Sequence, residues 1–495
     1  VTTVRFPVLL GAELRLILRE RLTWAILAAL VAALCLAAWT GAGRVATERA
    51  ALAQAVADTD RVVRDAKAAH ERYGKPSPIK VNYWQDPTDA FGFMTYFMAA
   101  YAVKPPTPLA AFAAGQSDVQ PAIMRASFGF STVFDDTAYE PGSTARLRLG
   151  PFDLTFALVY LVPLVVIALA GTRLSSEFDS GILRMIASQP VGPRRVAGAK
   201  FGAVALVAIA AVLGATALAL IVSGGLGELD GWVGTLALLA AALAAYVVLW
   251  VSACALAASL WRGGVAALAI LVLAWACVTV ALPSTLGLAV EVLAPTPSRI
   301  AAIDASRRAQ VRFYTGEEGA RITAAWLTGK VPDAASRPGL AEAPEVKRLA
   351  RDAFYDEALA SYRDAARDHA RTAATWSRRL AILSPATVLA LALEMAAGTD
   401  AERHSAFLAA GAAYRRDLRA FFEPRILAQA LDPAPVCPGC PARLDFAAYD
   451  AVPAFAPSVP RAAAERQAMV ALGCLVAGTL LLAALALRRL AEWPA

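Results

Sequence analysis

The side chains suited to redox or metal chemistry are few in this 495-residue chain: six cysteines and three histidines. Two of the cysteines, Cys437 and Cys440, stand together in the stretch CPGC. That spacing suits a disulfide pinning a turn, a redox-active dithiol, or one half of a metal site. An oxidising compartment would favour the disulfide. Closing so short a loop removes little chain entropy, so the bond would fix a turn rather than stabilise a domain. A metal site needs two further ligands, and His369 and His404 are the nearest imidazoles in sequence. Cys35, Cys254, Cys277 and Cys474 lie in apolar runs, where a thiol behaves as a small apolar residue.

Other chemistry is missing. The chain has no GxxxxGK[ST] phosphate loop, no HExxH and no GxSxG, which argues against an autonomous ATPase or hydrolase. Nor does any Asp, Glu, Lys or Arg lie deep inside an apolar run; Asp153 sits at the edge of the second. Ion-coupled carriers need such groups to bind and release protons or sodium. The energy for whatever this chain does is expected to come from elsewhere.

The elements around these residues read as membrane spans. The composition is 58% hydrophobic and 18% charged, with the apolar residues gathered in blocks. A hydrocarbon core of about 30 Å needs roughly 20 apolar residues as helix. Runs at 24–42, 152–171, 201–222, 232–258, 265–282 and 469–487 meet that need. The first is too long for the apolar core of a signal peptide. Arg5, Arg15, Arg19 and Arg21, then Arg173, Arg184, Arg194, Arg195 and Lys200, then Arg262, then Arg488 and Arg489 all fall on one side of a six-span chain. The opposite connection SGGLGELDG, at 223–231, has neither Lys nor Arg. The expected fold is therefore an all-α integral membrane protein with six spans and both termini cytoplasmic. It has a cytoplasmic amphipathic segment at 1–23, a cytoplasmic loop at 172–200 and a tail at 488–495. A mostly helical extracytoplasmic domain is built from two insertions, 43–150 and 289–466. The formal charge of +7 is accounted for by the short inner connections and gives no ground for a nucleic-acid partner.

Within the outer insertions the first span is expected to run on as a helical arm until Pro76 and Pro78, with STARLRL near residue 145 as a short strand. Residues 344–382 read as one long helix. Ser384 and Pro385 then open a 13-residue helix closed by Gly398, too short to span and placed in the core or on the membrane surface. Thr399 with Glu402 forms a capping-box pattern for a helix ending near Phe422, before Pro424.

Residues 175–200 read SSEFDSGILRMIASQPVGPRRVAGAK. After Glu177 the pattern gives a short amphipathic helix through Ile182, Leu183, Met185 and Ile186, a break at Pro190, Gly192 and Pro193, and a return to the membrane through Arg194, Arg195 and Lys200. Such a face fills a partner's groove or lies on a membrane surface. A plain basic interfacial loop is the alternative. The wording resembles the cytoplasmic connection between spans two and three of ABC-2 type permeases. The matching positions are Glu177, Gly181, Ile182 to Ile186, Pro190, Arg194 or Arg195, and Lys200, with Ile182 where the family usually has Thr. GQSDVQP at 115–121, LGPFDLTFALVYLVPLVVIAL at 149–169 and LSPATVLALALEMAAGTDAERHSAF at 383–407 extend the resemblance over nearly the whole chain. The branch they resemble has two large extracytoplasmic segments and is distantly similar to the permease for nitrous oxide reductase maturation.

The resemblance implies that the loop is a coupling helix seated in a separate ATPase subunit, so this chain has no cofactor of its own and ATP and Mg sit on the partner. It implies two copies of a cytoplasmic ABC ATPase, a second permease chain, identical or related, and a bacterial cytoplasmic membrane. The work is export or mechanical action on a periplasmic partner protein. Two rival readings are a membrane-anchored receptor or scaffold with a ligand-binding outer domain, and an outer-face thiol enzyme using Cys437 and Cys440.

Overall fold

The computed structural model describes residues 5–73, 152–171, 192–223, 231–261, 263–337, 339–431 and 461–491, with residue 173 and most of 82–126 and 444–457. The second helix shows how the two halves of the molecule are joined. A short amphipathic helix α1 (Phe6–Arg19) ends at Glu20, and α2 (Arg21–Tyr73) then continues unbroken for 53 residues. It contains no proline, and at 1.5 Å per residue it is about 80 Å long, far more than a bilayer requires. The expected helical arm is therefore a rigid extension of the first span.

The remaining apolar helices are α3 (Leu154–Ala170), α4 (Pro193–Val222), α5 (Val233–Leu260), α6 (Gly264–Leu293) and, near the end of the chain, Arg461–Ala491. Among the described residues five helices are long and apolar enough to cross a membrane, and α3 is a shorter apolar helix. Buried along much of its length, α3 packs against α2, α4, α5 and α6. Leu154, Leu158, Val162 and Val166 join Leu34 of α2, Val204 of α4 and Tyr246 of α5 in one apolar core. The chain is an all-α membrane protein.

The distal half is also helical: α7 (Arg299–Tyr314), α8 (Glu318–Lys330), α9 (Pro344–Ala358), α10 (Ala360–Ala381), α11 (Pro385–Ala397) and α12 (Ala401–Leu431), with Arg461–Ala491 as α13. A two-stranded antiparallel ribbon, β1 (Tyr101–Val103) and β2 (Ile123–Arg125), pairs Ala102 with Met124 and has no counterpart in the sequence reading. The expected strand STARLRL lies outside the described residues. The second core gathers Phe91, Phe93, Leu327, Val346, Leu349, Phe407, Leu418, Phe422 and Tyr449, and Ala66 of α2 reaches into it.

Three local expectations are corrected. The helix expected over 344–382 breaks at Leu359, where the Arg363 guanidinium takes the Asp356 carbonyl and carboxylate and the chain bends between α9 and α10. The helix expected to stop before Pro424 passes through it to Leu431. Arg425 donates to the Phe421 carbonyl at 2.6 Å, and burial of Phe422, Ile426 and Leu427 outweighs the lost backbone bond. The cap of α12 is Asp400, whose Oδ1 accepts from the Arg403 amide at 2.9 Å, while Glu402 turns to Arg378. The Ser384 cap and the left-handed Gly398 are as expected.

Candidate functional site

Of the loop expected at 172–200, the flanks carry the geometry. Glu177, Gly181, Ile182, Leu183, Met185, Ile186 and Pro190 lie outside the described residues, as do Cys437 and Cys440, whereas Arg194, Arg195 and Lys200 open α4. α1 lies along the start of α4, with Leu10, Leu14 and Ile17 turned to the core and Leu16 and Leu18 left exposed. Gly198 faces Phe6 and Gly202 faces Leu10, each with room for a methyl group.

Ion pairs fix this helix and the residue that ends it to the two sides of the loop. On the far side of the loop, Lys200 meets Glu13 at 2.7 Å, both side chains mostly buried. On the near side Arg173, which also donates to the Leu169 carbonyl, meets Glu20 at 2.6 Å. Glu20 is the elbow between α1 and α2, where it accepts from Thr23 Oγ1 as the Trp24 indole donates to the Leu18 carbonyl. Arg194 reaches the Leu487 carbonyl of α13 at 3.3 Å, which brings the two ends of the chain to one face. Arg195 is exposed.

The other three stretches that suggested a family meet at the opposite end of the spans. Residues 104–115 wedge between α2, the start of α3 and the end of α11. Asp153 caps α3 through the Phe156 amide at 2.7 Å and takes the Ala114 amide at 2.8 Å. Thr107 donates to the Ala396 and Ala397 carbonyls, and Arg403 donates to the Pro105 and Gly398 carbonyls. Arg44 of α2 donates to the Ala110 and Ala113 carbonyls at 2.5 and 2.9 Å and to Ser117 Oγ at 3.1 Å. At Gly41 a Cβ would lie 2.3 Å from the Ala111 carbonyl oxygen, so only glycine admits the wedge. Gly115, at φ +49°, lies against Thr399. Lys104 is buried here, and its pKa falls to about 8 through burial and the nearby Arg403, opposed by Glu48 and Asp400.

The family model for ABC-2 family transporter proteins matches residues 8–490, a span that takes in both the collar, formed by α1, Glu20 and the loop flanks they pair with, and the wedge at 104–115. The chain belongs to the ABC-2 transporter family. No curated protein and no solved structure matches it. The family describes the membrane component of ABC transporters, and this chain is such a multi-pass permease component.

The permease also has a feature that the sequence reading missed. α3 and α6 each contain a π turn, at Ala157–Leu161 and Cys277–Ala281, followed at once by a helical turn carrying Pro163 or Pro283. A proline cannot donate to the preceding turn, and a carbonyl released inside a membrane must find another donor. Val159 O takes the Tyr246 hydroxyl at 2.8 Å, Tyr160 O takes the Trp275 indole at 3.2 Å, and Val278 O takes the Ser384 hydroxyl at 2.9 Å. The prolines inside two apolar runs were the available signal. The Ser384 bond also settles where α11 lies: its first turn is inserted against the middle of α6, and Val388, Leu389, Ala392 and Leu393 are buried in the spans' core.

The cysteines in the spans, Cys35, Cys254, Cys277 and Cys474, are free thiols. His369 and His404 lie on different helices, and no three His, Cys, Asp or Glu side chains gather into a metal site among the described residues.

Proposed function

We propose that this permease couples ATP hydrolysis on a separate ATPase subunit to export or to mechanical work on an extracytoplasmic partner. The loop between Arg173 and Arg194 would dock in the ATPase, with Glu177 and Gly181 at its turn, Ile182, Leu183, Met185 and Ile186 as its apolar face, and Pro190, Arg194, Arg195 and Lys200 at its return. The observation that carries this reading is that one flank of the loop is ion-paired to α1, through Glu13, and the other to the elbow that ends α1, through Glu20. A push on the loop would thus move α1, α3 and α4 together. In this reading the termini are cytoplasmic in a bacterial membrane, ATP and Mg²⁺ sit on two ATPase copies, and a second permease chain completes the unit. The continuous α2 favours mechanical work beside export, because one rigid rod joins the elbow at Glu20 to the distal core.

The test is purification from the native membrane in mild detergent with an assay of ATP hydrolysis. The reading expects a stoichiometric ATPase whose recovery or stimulation falls in Gly181→Trp and Glu177→Lys while the permease stays folded. Unchanged coupled turnover in both variants would refute the role of the loop. Recovery of the chain with no ATPase, even after crosslinking, would turn the reading toward a receptor or scaffold.

A further inference from the structure

A fissure of about 600 Å³ runs between α6 and α13, with α5 as its back and the first turn of α11 at its distal end. α5 packs against both walls. Among the described residues its lining carries no charge, hydroxyl or amide side chain; Leu249 and Leu256 of α5, Ala274 of α6, and Leu475 and Leu482 of α13 set its character. From Leu249 to Trp261 it extends about 18 Å along α5. Its mouth opens sideways from the spans, where Leu481 of α13 and Ile382 and Leu383, between α10 and α11, are each more than half exposed. The volume lies in the range of ligand pockets, roughly 300 to 1,000 Å³. Among membrane spans a wall of this kind is filled by van der Waals contact with a hydrocarbon chain.

The distal end of the fissure adds a cation. Arg379 precedes Ile382 and Leu383 by three and four residues, so it lies one turn above them on the face of α10 that leads into the mouth. The other arginines of α10, Arg363, Arg367, Arg371 and Arg378, each meet a carboxylate. Arg379 is exposed, makes no ion pair among the described residues, and holds its guanidinium 5.3 Å from the centre of the Trp376 ring. The bond from the Ser384 hydroxyl to the Val278 carbonyl fixes the depth of this corner. Val278 lies about 21 Å along α6 from Gly264, and Arg379 stands about one turn farther out, close to the edge of a hydrocarbon core of about 30 Å. Arg beside Trp at that level suits the membrane interface, where a planar guanidinium meets lipid phosphate oxygens.

We propose that the fissure binds one phospholipid of the bilayer leaflet on the distal side, with its phosphate on Arg379 beside Trp376 and one acyl chain running down between α6 and α13 toward Trp261. One occupant then accounts for both the unpaired cation and the open apolar mouth beneath it. The inference needs no ATPase and no role for the loop at 172–200.

Two phosphatidylcholines, with a photoreactive diazirine near the glycerol end or near the tip of one acyl chain, test it in nanodiscs holding the full chain, by mass spectrometry of the labelled peptides. The first is expected to label Ile382 and Leu383 and the second Leu256 and Ala257, each at least about fivefold above the exposed Leu273 and Val280 of α6. A diacylglycerol with the same tip label, which lacks the phosphate, should label the fissure at least about fivefold less. Arg379→Gln should lower fissure labelling by a similar factor while Arg379→Lys keeps most of it, and because Arg379 is exposed neither should shift the melting temperature. Ala274→Trp should block the fissure with the cation intact. Even labelling over all exposed span residues, reversed positions for the two labels, or unchanged labelling in Arg379→Gln or with the diacylglycerol would each overturn the proposal. So would fissure labelling that vanishes when two chains share a nanodisc, which would give the fissure to a second copy of the chain.

Discussion

The two ends of the spans are joined to their neighbours by different physics. At the end that holds both termini, α1 and the elbow that follows it are fastened by two side-chain ion pairs and a strip of apolar contact, and half of Glu20 is exposed. At the distal end the wedge is fastened through its own backbone: carbonyls of Pro105, Ala110 and Ala113 accept from buried arginines, and the Ala114 amide donates to Asp153. Side-chain ion pairs can lengthen and re-form without unfolding anything. Buried backbone groups that lose their partners cannot be left unpaired so cheaply. The difference teaches that the collar can give way without unfolding, whereas the wedge can be parted only at the cost of buried backbone hydrogen bonds.

The strongest way to break this contrast is to cut the wedge. Arg44→Ala strands two carbonyls and is expected to cost roughly 3 kcal/mol, read as a lower melting temperature in detergent. Arg44→Lys should recover only part, because one ammonium cannot reproduce the fork. Close behind, Gly41→Ala should cost about 2 kcal/mol through its clash with the Ala111 carbonyl. Gly43→Ala, which meets nothing within 4 Å, should gain up to about 1 kcal/mol from helix propensity. Equal effects at the two glycines would remove the steric basis of the wedge.

At the collar, Lys200→Met should cost roughly 2 kcal/mol by leaving Glu13 mostly buried without its cation, and the exchange Glu13→Lys with Lys200→Glu should regain at least half. A double swap no better than the single variants would show that the pair is incidental. A subtler effect is expected at Lys104. Its folded pKa of about 8 lies below the ordinary value near 10.4, so between those pH values the unfolded chain binds the proton and the folded one does not. Stability should therefore rise with pH across that window relative to Lys104→Met, and melting curves at pH 7.5 and 9.5 check the sign. The smallest change is expected from Arg173→Gln, under about 0.5 kcal/mol because Glu20 is half exposed, with a larger loss in ATP-stimulated coupling than in stability.

Much of the helical plan was legible in the residues. Apolar runs long enough for a bilayer fall in long apolar helices, and the Ser384 and Gly398 pair bounds α11, because caps act locally. What escaped depended on distant partners. Pro424 reads as a stop until Phe422 and Ile426 are seen to be buried on either side of it. Leu359 reads as helix until Arg363 is seen to claim the Asp356 carbonyl. Arg44, Asp153 and Arg403 looked like ordinary charges at helix ends, and nothing in their spacing says that residues 104–115 would thread between them. The three stretches that resembled the family were recognised as wording, and only the fold explains their company: they form one joint.

The central claim is that the collar moves with nucleotide while the wedge does not. Spin labels at Arg15→Cys on α1 and Arg488→Cys on α13 report the collar; labels at Arg49→Cys on α2 and Ala406→Cys on α12 report the wedge. Distances would be measured in the complex isolated from its native membrane, with the other cysteines replaced, before and after trapping with ATP. The account predicts that the collar distance shifts beyond its nucleotide-free spread while the wedge distance stays within its own. A collar that stays fixed on ATP, or a wedge that opens while the collar is still, would contradict it.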